Sequence, residues 1–96
     1  MKYELEFLPS ALKEWKRLDS NTREQLRKKL QERCEIPRIP SAKLSGAKDR
    51  YKIKLRSVGY RLVYEVVDNR LVVLVIAIGK REGSAAYATA RNRPSR

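Results

Sequence analysis

Apolar and cationic side chains alternate strictly over residues 51–56. Because successive side chains of a strand point to opposite faces, Tyr51, Ile53 and Leu55 would lie together on one face of a sheet. The opposite face would carry a row of cations, and its members are Lys52, Lys54 and Arg56. The pattern therefore predicts a strand with an apolar inner face and a cationic outer face suited to holding an anion.

Three further strands are predicted from the same kind of pattern. Residues 3–7 alternate between apolar and acidic, with the apolar side chains directed inward. Residues 60–67 and 71–78 follow the first cationic strand after short turns, so these three strands should be antiparallel neighbours. Residues 71–78 are apolar at every position. This composition is typical of a central strand that is covered on both faces.

Two helices are expected between the first and second strands. Leucine and tryptophan recur at helical spacing over about residues 9–18, and Pro9 suits a first helical turn. Residues 19–22 supply capping side chains for a second helix that runs to about Arg33. A short last helix would begin after Ser84 and run to about residue 91. The predicted fold is α+β, with two N-terminal helices on a mainly antiparallel four-stranded sheet and a short C-terminal helix.

Length and charge narrow the class of protein. Ninety-six residues suit a single domain over residues 1–96, with 92–96 as a frayed tail. A formal net charge of +12 favours polyanionic partners, first nucleic acid and then an acidic protein. The longest apolar run, residues 71–78, has the length of a strand and is far short of a membrane span. We therefore expect no association with a membrane.

The residue types also limit the chemistry. The chain contains no histidine and one cysteine, Cys34, which excludes a disulfide within the chain and suits a reducing cytoplasm. Its surroundings favour a small core residue at a helix end. The sequence has no metal-binding motif, so an enzyme built on it is expected to use neither a metal nor a cofactor. General acid–base catalysis would therefore have to use lysine, arginine, tyrosine or carboxylate side chains.

Several motifs, taken in order and at their spacings, resemble the RelE toxins of bacterial toxin–antitoxin modules. The resemblance runs over nearly the whole chain. The motifs that carry it are Ala11–Trp15, Arg23–Leu26, Pro37–Ile39, Lys43-Leu44, Tyr51–Arg56, Gly59–Tyr64 and Gly79–Glu82, with Tyr87 behind them. One departure is Gly83, which stands where the family often has a basic residue.

The resemblance implies a metal-independent ribonuclease that cuts mRNA within the ribosomal A site. Family enzymes activate the ribose 2′-hydroxyl for attack on the adjacent phosphate. The family's catalytic residues carry over onto Lys52, Lys54, Arg61, Arg81 and Tyr87.

The chemistry of these side chains suggests a role for each of them. We assign Lys54 as the base and Lys52 as a phosphate-stabilising partner, although the two roles could be exchanged. Arg61 suits the charge that develops on phosphorus, because a guanidinium binds phosphate oxygens in a forked geometry. Arg81 would support the leaving oxygen, and Tyr87 would stack on a base or orient the 2′-hydroxyl. Alternatively, Tyr87 packs the last helix onto the sheet.

Basic residues scattered outside this set would contact ribosomal RNA, or they would simply keep the surface soluble. They are Lys13, Lys16, Arg17, Arg23, Lys28, Lys29 and Arg56. The resemblance further implies a RelB-like antitoxin that wraps the toxin and binds operator DNA. The charge of the chain suggests an acidic wrapping segment. Two other functions stay open: a related toxin that poisons DNA gyrase, and a basic RNA-binding module without catalysis.

Overall fold

The computed structural model describes residues 3–80 and 93–94. Within these residues two helices and four strands follow one another, and two short 3₁₀ turns lie in the connections. The elements are β1 (Glu4–Phe7), α1 (Pro9–Lys16), α2 (Ser20–Glu35), the turn Pro40–Ala42, β2 (Arg50–Leu55), β3 (Tyr60–Val67), the turn Asp68–Arg70 and β4 (Val72–Lys80). Each helix and strand therefore ends within two residues of its predicted bounds. The predicted last helix lies outside the described residues.

The four strands form one sheet in the order β1-β4-β3-β2. β4 pairs antiparallel with β3, and β3 pairs antiparallel with β2, as predicted for these hairpin neighbours. α1 and α2 carry the chain from β1 at one edge of the sheet to β2 at the other edge. β1 pairs parallel with β4, so the sheet is mixed. Residues 72–78 are all buried, which confirms that β4 is a central strand.

The helices cover the inner face of the sheet. α2 directs Leu26, Leu30 and Cys34 into the core, and Trp15 of α1 packs against Phe7 with ring centroids 5.1 Å apart. The predicted core position of Cys34 is confirmed, and burial raises the pKa of its thiol. The predicted cap is also confirmed, since the carboxylate of Asp19 accepts a hydrogen bond from the backbone N–H of Thr22.

β4 continues beyond the end of its parallel neighbour. β1 stops at Phe7, opposite Val75, and an irregularity in the pairing with β3 leaves Ile76 without a register partner. Beyond the end of β1, the ion pair of Glu14 with Arg93 lies beside β4. A carboxylate oxygen of Glu14 accepts from the N–H of Ile78 at 3.0 Å, and Nη1 of Arg93 donates to the carbonyl of Ile76 at 2.7 Å. The two side chains meet at 3.3 Å.

Residues from three separate connections meet at Arg38. Its guanidinium binds both oxygens of Asp49 at 3.1 and 2.9 Å and an oxygen of Asp68 at 2.7 Å. The hydroxyl of Tyr3 donates to the other oxygen of Asp68 at 2.7 Å. Hydrogen bonds from Arg38 hold the pKa values of both aspartates below their usual range, and Tyr3 adds to this effect at Asp68.

We expect Glu14→Ala to destabilise the fold by about 1–3 kcal/mol, because the amide of Ile78 would lose its acceptor in a partly buried position. Glu14→Gln keeps an acceptor oxygen and should cost clearly less. Urea unfolding of both variants measures the loss, and amide exchange at Ile78 locates it. An equal loss in the two variants would assign the effect to the ion pair with Arg93 and not to the backbone hydrogen bond.

We expect the fold to lose stability as the pH falls below about 4, the ordinary pKa of an aspartate. A carboxyl whose pKa is lowered in the folded state stabilises that state only while it is ionised. The contribution of Asp49 and Asp68 is therefore complete above this pH and disappears as they are protonated. Arg38→Ala should be less stable than the wild type at pH 7, with a difference that narrows in acid. A difference independent of pH, measured by urea unfolding, would contradict this account.

Candidate functional site

The cationic outer face predicted for β2 is present. Lys54 pairs directly with Arg61 across β2 and β3, and Lys52 lies two residues along the same face, opposite Val63. Directly opposed side chains of an antiparallel pair have Cβ atoms about 4.5–5.5 Å apart. Lys54 is exposed, whereas Lys52 and Arg61 are half-buried. The hairpin therefore brings three of the predicted catalytic side chains together.

A pocket of about 350 Å³ lies at the end of this hairpin, and we call it the hairpin pocket. It is lined by Lys54, Leu55, Arg56, Tyr60 and Arg61. Gly59 makes the turn possible, because its φ of +70° is in the left-handed region that a residue with a side chain rarely adopts. Its N–H donates to the carbonyl of Leu55 at 2.9 Å. With three cations among its lining residues, this pocket suits a phosphate group.

A second pocket of about 330 Å³ adjoins the first, and we call it the α2 pocket. Its lining residues are Arg33, Ser41, Ala42, Lys52, Lys54 and Arg56. Lys54 and Arg56 belong to both pockets, so the two are neighbours along β2. Together they form a continuous cationic surface along β2, the edge strand of the sheet.

Arg33 is a residue of this surface that the sequence analysis did not assign to the site. Its Nη1 donates to the carbonyl of Lys52 at 3.2 Å and to the hydroxyl of Tyr64 at 3.0 Å. The guanidinium also lies 5.7 Å from the centroid of the Tyr64 ring. The helical spacing could have identified this residue. Arg33 follows the buried residues Leu26 and Leu30 by seven and three positions, so it lies beside the face of α2 that packs against the sheet.

Tyr64 provides the fixed support behind Arg33. Its side chain is fully buried, as expected for a core residue, and its ring stacks on Tyr51 at 5.8 Å between centroids. Its hydroxyl donates to the carbonyl of Pro37 at 2.6 Å. Burial raises the pKa of this hydroxyl, so it remains protonated and keeps donating. Arg33 is therefore held on a rigid part of the core.

The remaining predicted residues divide into two groups. Arg81 and Tyr87 lie outside the described residues, and Lys80, the last residue of β4, pairs with Tyr60 beside the hairpin pocket. Of the scattered cations, Arg56 lines both pockets. The others lie on or just after the helices, and within the described part of the chain none of them lines either pocket. They are Lys13, Lys16, Arg17, Arg23, Lys28 and Lys29.

A larger pocket, of about 570 Å³, lies elsewhere, beside Tyr3, Ile36, Arg38 and Leu71. The charge of Arg38 is already engaged there by Asp49 and Asp68. Arg38 is the one cation among the described lining residues of this pocket, which therefore offers a polyanion less positive charge than the other two pockets. Within residues 3–80 and 93–94, no cluster of potential metal ligands and no helix long and apolar enough to cross a membrane is present.

Comparison with known proteins identifies the family. Residues 5–84 match the family model described as the ParE toxin of the type II toxin–antitoxin system parDE. The mRNA interferase toxin RelE of Escherichia coli K12 is 58% identical to this chain over 93 residues, which are 97% of the chain and 98% of the relative. The chain belongs to the RelE toxin family. The mRNA interferase RelE of Shigella flexneri matches this RelE-family chain to the same extent.

Solved RelE structures share the fold. The isolated Escherichia coli RelE toxin superposes with a TM-score of 0.81 at 58% identity, covering 92% of this chain and 94% of the other. RelE in the intact Escherichia coli RelBE toxin–antitoxin complex gives 0.80 at 60% identity, covering 83% and 98%. An archaeal RelE from Pyrococcus horikoshii is 19% identical with a TM-score of 0.61, so it supports the fold alone. The predicted family and fold class are confirmed.

Proposed function

We propose that this RelE-family chain is the toxin of a toxin–antitoxin module and an endoribonuclease that cuts mRNA in the ribosomal A site. The observation that carries the proposal is the pairing of Lys54 with Arg61 across the hairpin, with Lys52 beside them on the same cationic face. The likeness to RelE proteins named as mRNA interferases supports the same substrate. An extended cationic face suits a polyanionic strand better than it suits a small neutral substrate.

Cleavage would proceed through the RNA's own 2′-hydroxyl. The 2′-oxygen attacks phosphorus, the bond from phosphorus to the 5′-oxygen breaks, and the products are a 2′,3′-cyclic phosphate and a 5′-hydroxyl. A base must take the 2′ proton, and a proton must reach the leaving oxygen. We assign the first role to Lys54 and leave open its exchange with Lys52.

The other catalytic roles are electrostatic. Arg61 is half-buried beside Lys54 and would stabilise the negative charge that develops at phosphorus. Arg81 would support the leaving oxygen, with the proton relayed by water or the ribosome, because a guanidinium rarely gives up a proton. Tyr87 would stack on a base or orient the 2′-hydroxyl. The placement of Arg81 and Tyr87 in the site remains part of the proposal.

The ribosome would align the RNA substrate and so assist a set of side chains that is poorly suited to proton transfer at neutral pH. The chain contains no histidine, so it has no group whose ordinary pKa lies near 7. Holding the scissile phosphate and the 2′-oxygen in line can provide much of the acceleration. We therefore expect cleavage on the ribosome and very little on naked RNA, and we place the protein in the cytoplasm, where translating ribosomes are found.

A RelB-like antitoxin is the proposed partner. Escherichia coli RelE has been solved together with its RelB antitoxin, which supports such a complex here. An acidic segment would be attracted by the net charge of +12. We propose that the antitoxin covers the cationic face or displaces the last helix, and that its other end binds operator DNA. A complex that leaves both features unchanged would contradict this.

One observation favours a second function. The matching family model is described as the ParE toxin of the parDE system and not as a RelE nuclease. The alternative that it supports is the related toxin that poisons DNA gyrase, which the sequence analysis left open. A gyrase poison would have no use for the Lys54–Arg61 pair as a catalytic device. The two functions therefore differ in how variants of this pair should behave.

Primer extension on mRNA programmed into purified ribosomes tests the nuclease. We expect the wild type to cut inside the A-site codon and to leave naked mRNA intact. Arg61→Ala should lower the cleavage rate by about 10²–10³-fold, the usual effect of removing one stabiliser of transition-state charge. Lys54→Ala should lower it by about 10²–10⁴-fold if Lys54 is the base. Ribosome binding should change little in either variant.

Arg70→Ala is the matched control. It also removes one positive charge, but Arg70 pairs with Glu6 on the exposed surface and lies outside both pockets. Its cleavage rate should equal that of the wild type. If a folded wild-type protein stops growth, cuts no mRNA and traps gyrase on DNA, the nuclease is wrong and the gyrase poison is correct.

A further inference from the structure

We propose that Arg33 and the α2 pocket bind a second phosphate of the substrate RNA, next to the scissile one. The inference rests on the proposed nuclease function and places the scissile phosphate in the hairpin pocket. It adds a binding residue from α2, an element to which the sequence analysis assigned no part in the cationic pockets. The ligand is the phosphodiester of a neighbouring nucleotide on the same strand.

The composition of the α2 pocket indicates an anion. Its described lining residues include four cations, one serine hydroxyl and no carboxylate. Like charges held close together repel one another, so such a cluster is stabilised when an anion occupies it.

Arg33 is held in place before any ligand arrives. The bonds to the Lys52 carbonyl and the Tyr64 hydroxyl both use Nη1, and the tyrosine ring supports the guanidinium at 5.7 Å. Nη2 and Nε therefore keep N–H groups for a phosphate, which a guanidinium binds through a forked pair of hydrogen bonds. Because the side chain is already ordered by Tyr64, binding would cost little conformational entropy.

The relation between the two pockets suits consecutive phosphates. They share Lys54 and Arg56, so an anion in one pocket is the immediate neighbour of an anion in the other. Lys52 and Lys54 leave β2 about 7 Å apart, since alternate residues of a strand are separated by about two rises. This separation is comparable to the step between neighbouring phosphates of a single RNA strand. One strand lying along β2 would thus fill both pockets.

A purely structural role for Arg33 makes a different prediction. By holding the Lys52 carbonyl, Arg33 could position β2 without contacting RNA. Its removal would then slow cleavage equally for every RNA. Direct binding instead couples Arg33 to the charge of one particular phosphate, and this coupling can be measured.

The experiment is a double-mutant cycle between protein and RNA, measured as the second-order rate constant of cleavage on programmed ribosomes. The mRNA carries an uncharged methylphosphonate at the phosphate on either side of the scissile one. For the wild type, one of the two positions should lower the rate constant about tenfold or more, as expected for the loss of a charge-assisted hydrogen bond. Arg33→Ala should show a similar loss on ordinary mRNA and almost no further loss on that modified mRNA.

Two further variants distinguish binding from folding. Arg33→Lys keeps the charge without the fork and should recover part of the rate. Arg27→Ala, on the same helix, removes an exposed arginine that pairs with Glu24 at 3.6 Å, and it should behave as the wild type on every mRNA. Urea unfolding of each variant verifies that the comparison is made between folded proteins.

The outcomes separate the inference from the function on which it rests. If Arg33→Ala keeps the full methylphosphonate penalty, or if the wild type shows no penalty at either position, Arg33 does not bind a neighbouring phosphate and the inference is overturned. If the wild type cuts no ribosome-bound mRNA at all, the nuclease function fails and the inference fails with it. If the methylphosphonate lowers the rate constant of the wild type and of Arg27→Ala but not that of Arg33→Ala, the second phosphate site is supported.

Discussion

The structure depends on the burial of β4, a strand that is apolar on both faces and lies inside the sheet. Burying each large apolar side chain contributes about 1.5–3 kcal/mol, so a run such as 72–78 stabilises only those folds that cover both of its faces. β1 and β3 satisfy its backbone on either side, and the helices cover the inner face. β4 therefore fixes the positions of β1 and β3, which pair with it.

The cationic hairpin is a consequence of that arrangement. β3 lies against β4, so β2 is displaced to the edge of the sheet, where alternate side chains can remain in water. Lys54 and Arg61 share the outer face because the register of the hairpin sets them opposite each other. The fold thus keeps its apolar residues in the middle strands and presents its cations on the strand that a polyanion can reach.

The site relies on charge held in place more than on groups that titrate near neutral pH. Arg33 rests on Tyr64, and the buried Tyr64 hydroxyl is anchored to the carbonyl of Pro37. In the proposed site, such preorganisation would let Arg33 bind a phosphate next to the scissile one with little loss of conformational entropy. It also suits an enzyme whose substrate is aligned by a much larger partner.

The local sequence predicted the helices and the outer face of β2 from repeats of 3.6 and two residues, and the central position of β4 from an unbroken apolar run. The resemblance supplied the residues of the site. Three features could not be predicted in this way: the register that sets Lys54 against Arg61, the approach of Arg33 to Lys52, and the ion pair of Glu14 with Arg93. The ion pair joins residues 79 positions apart, and Arg33 reaches a strand 19 positions away. The sequence by itself therefore determined most of the positions that face the core, although Leu71 of the predicted central strand is exposed and Arg50 is buried. Only the tertiary structure decided which side chains meet, because such contacts are selected by packing over the whole chain and leave no period in the local pattern.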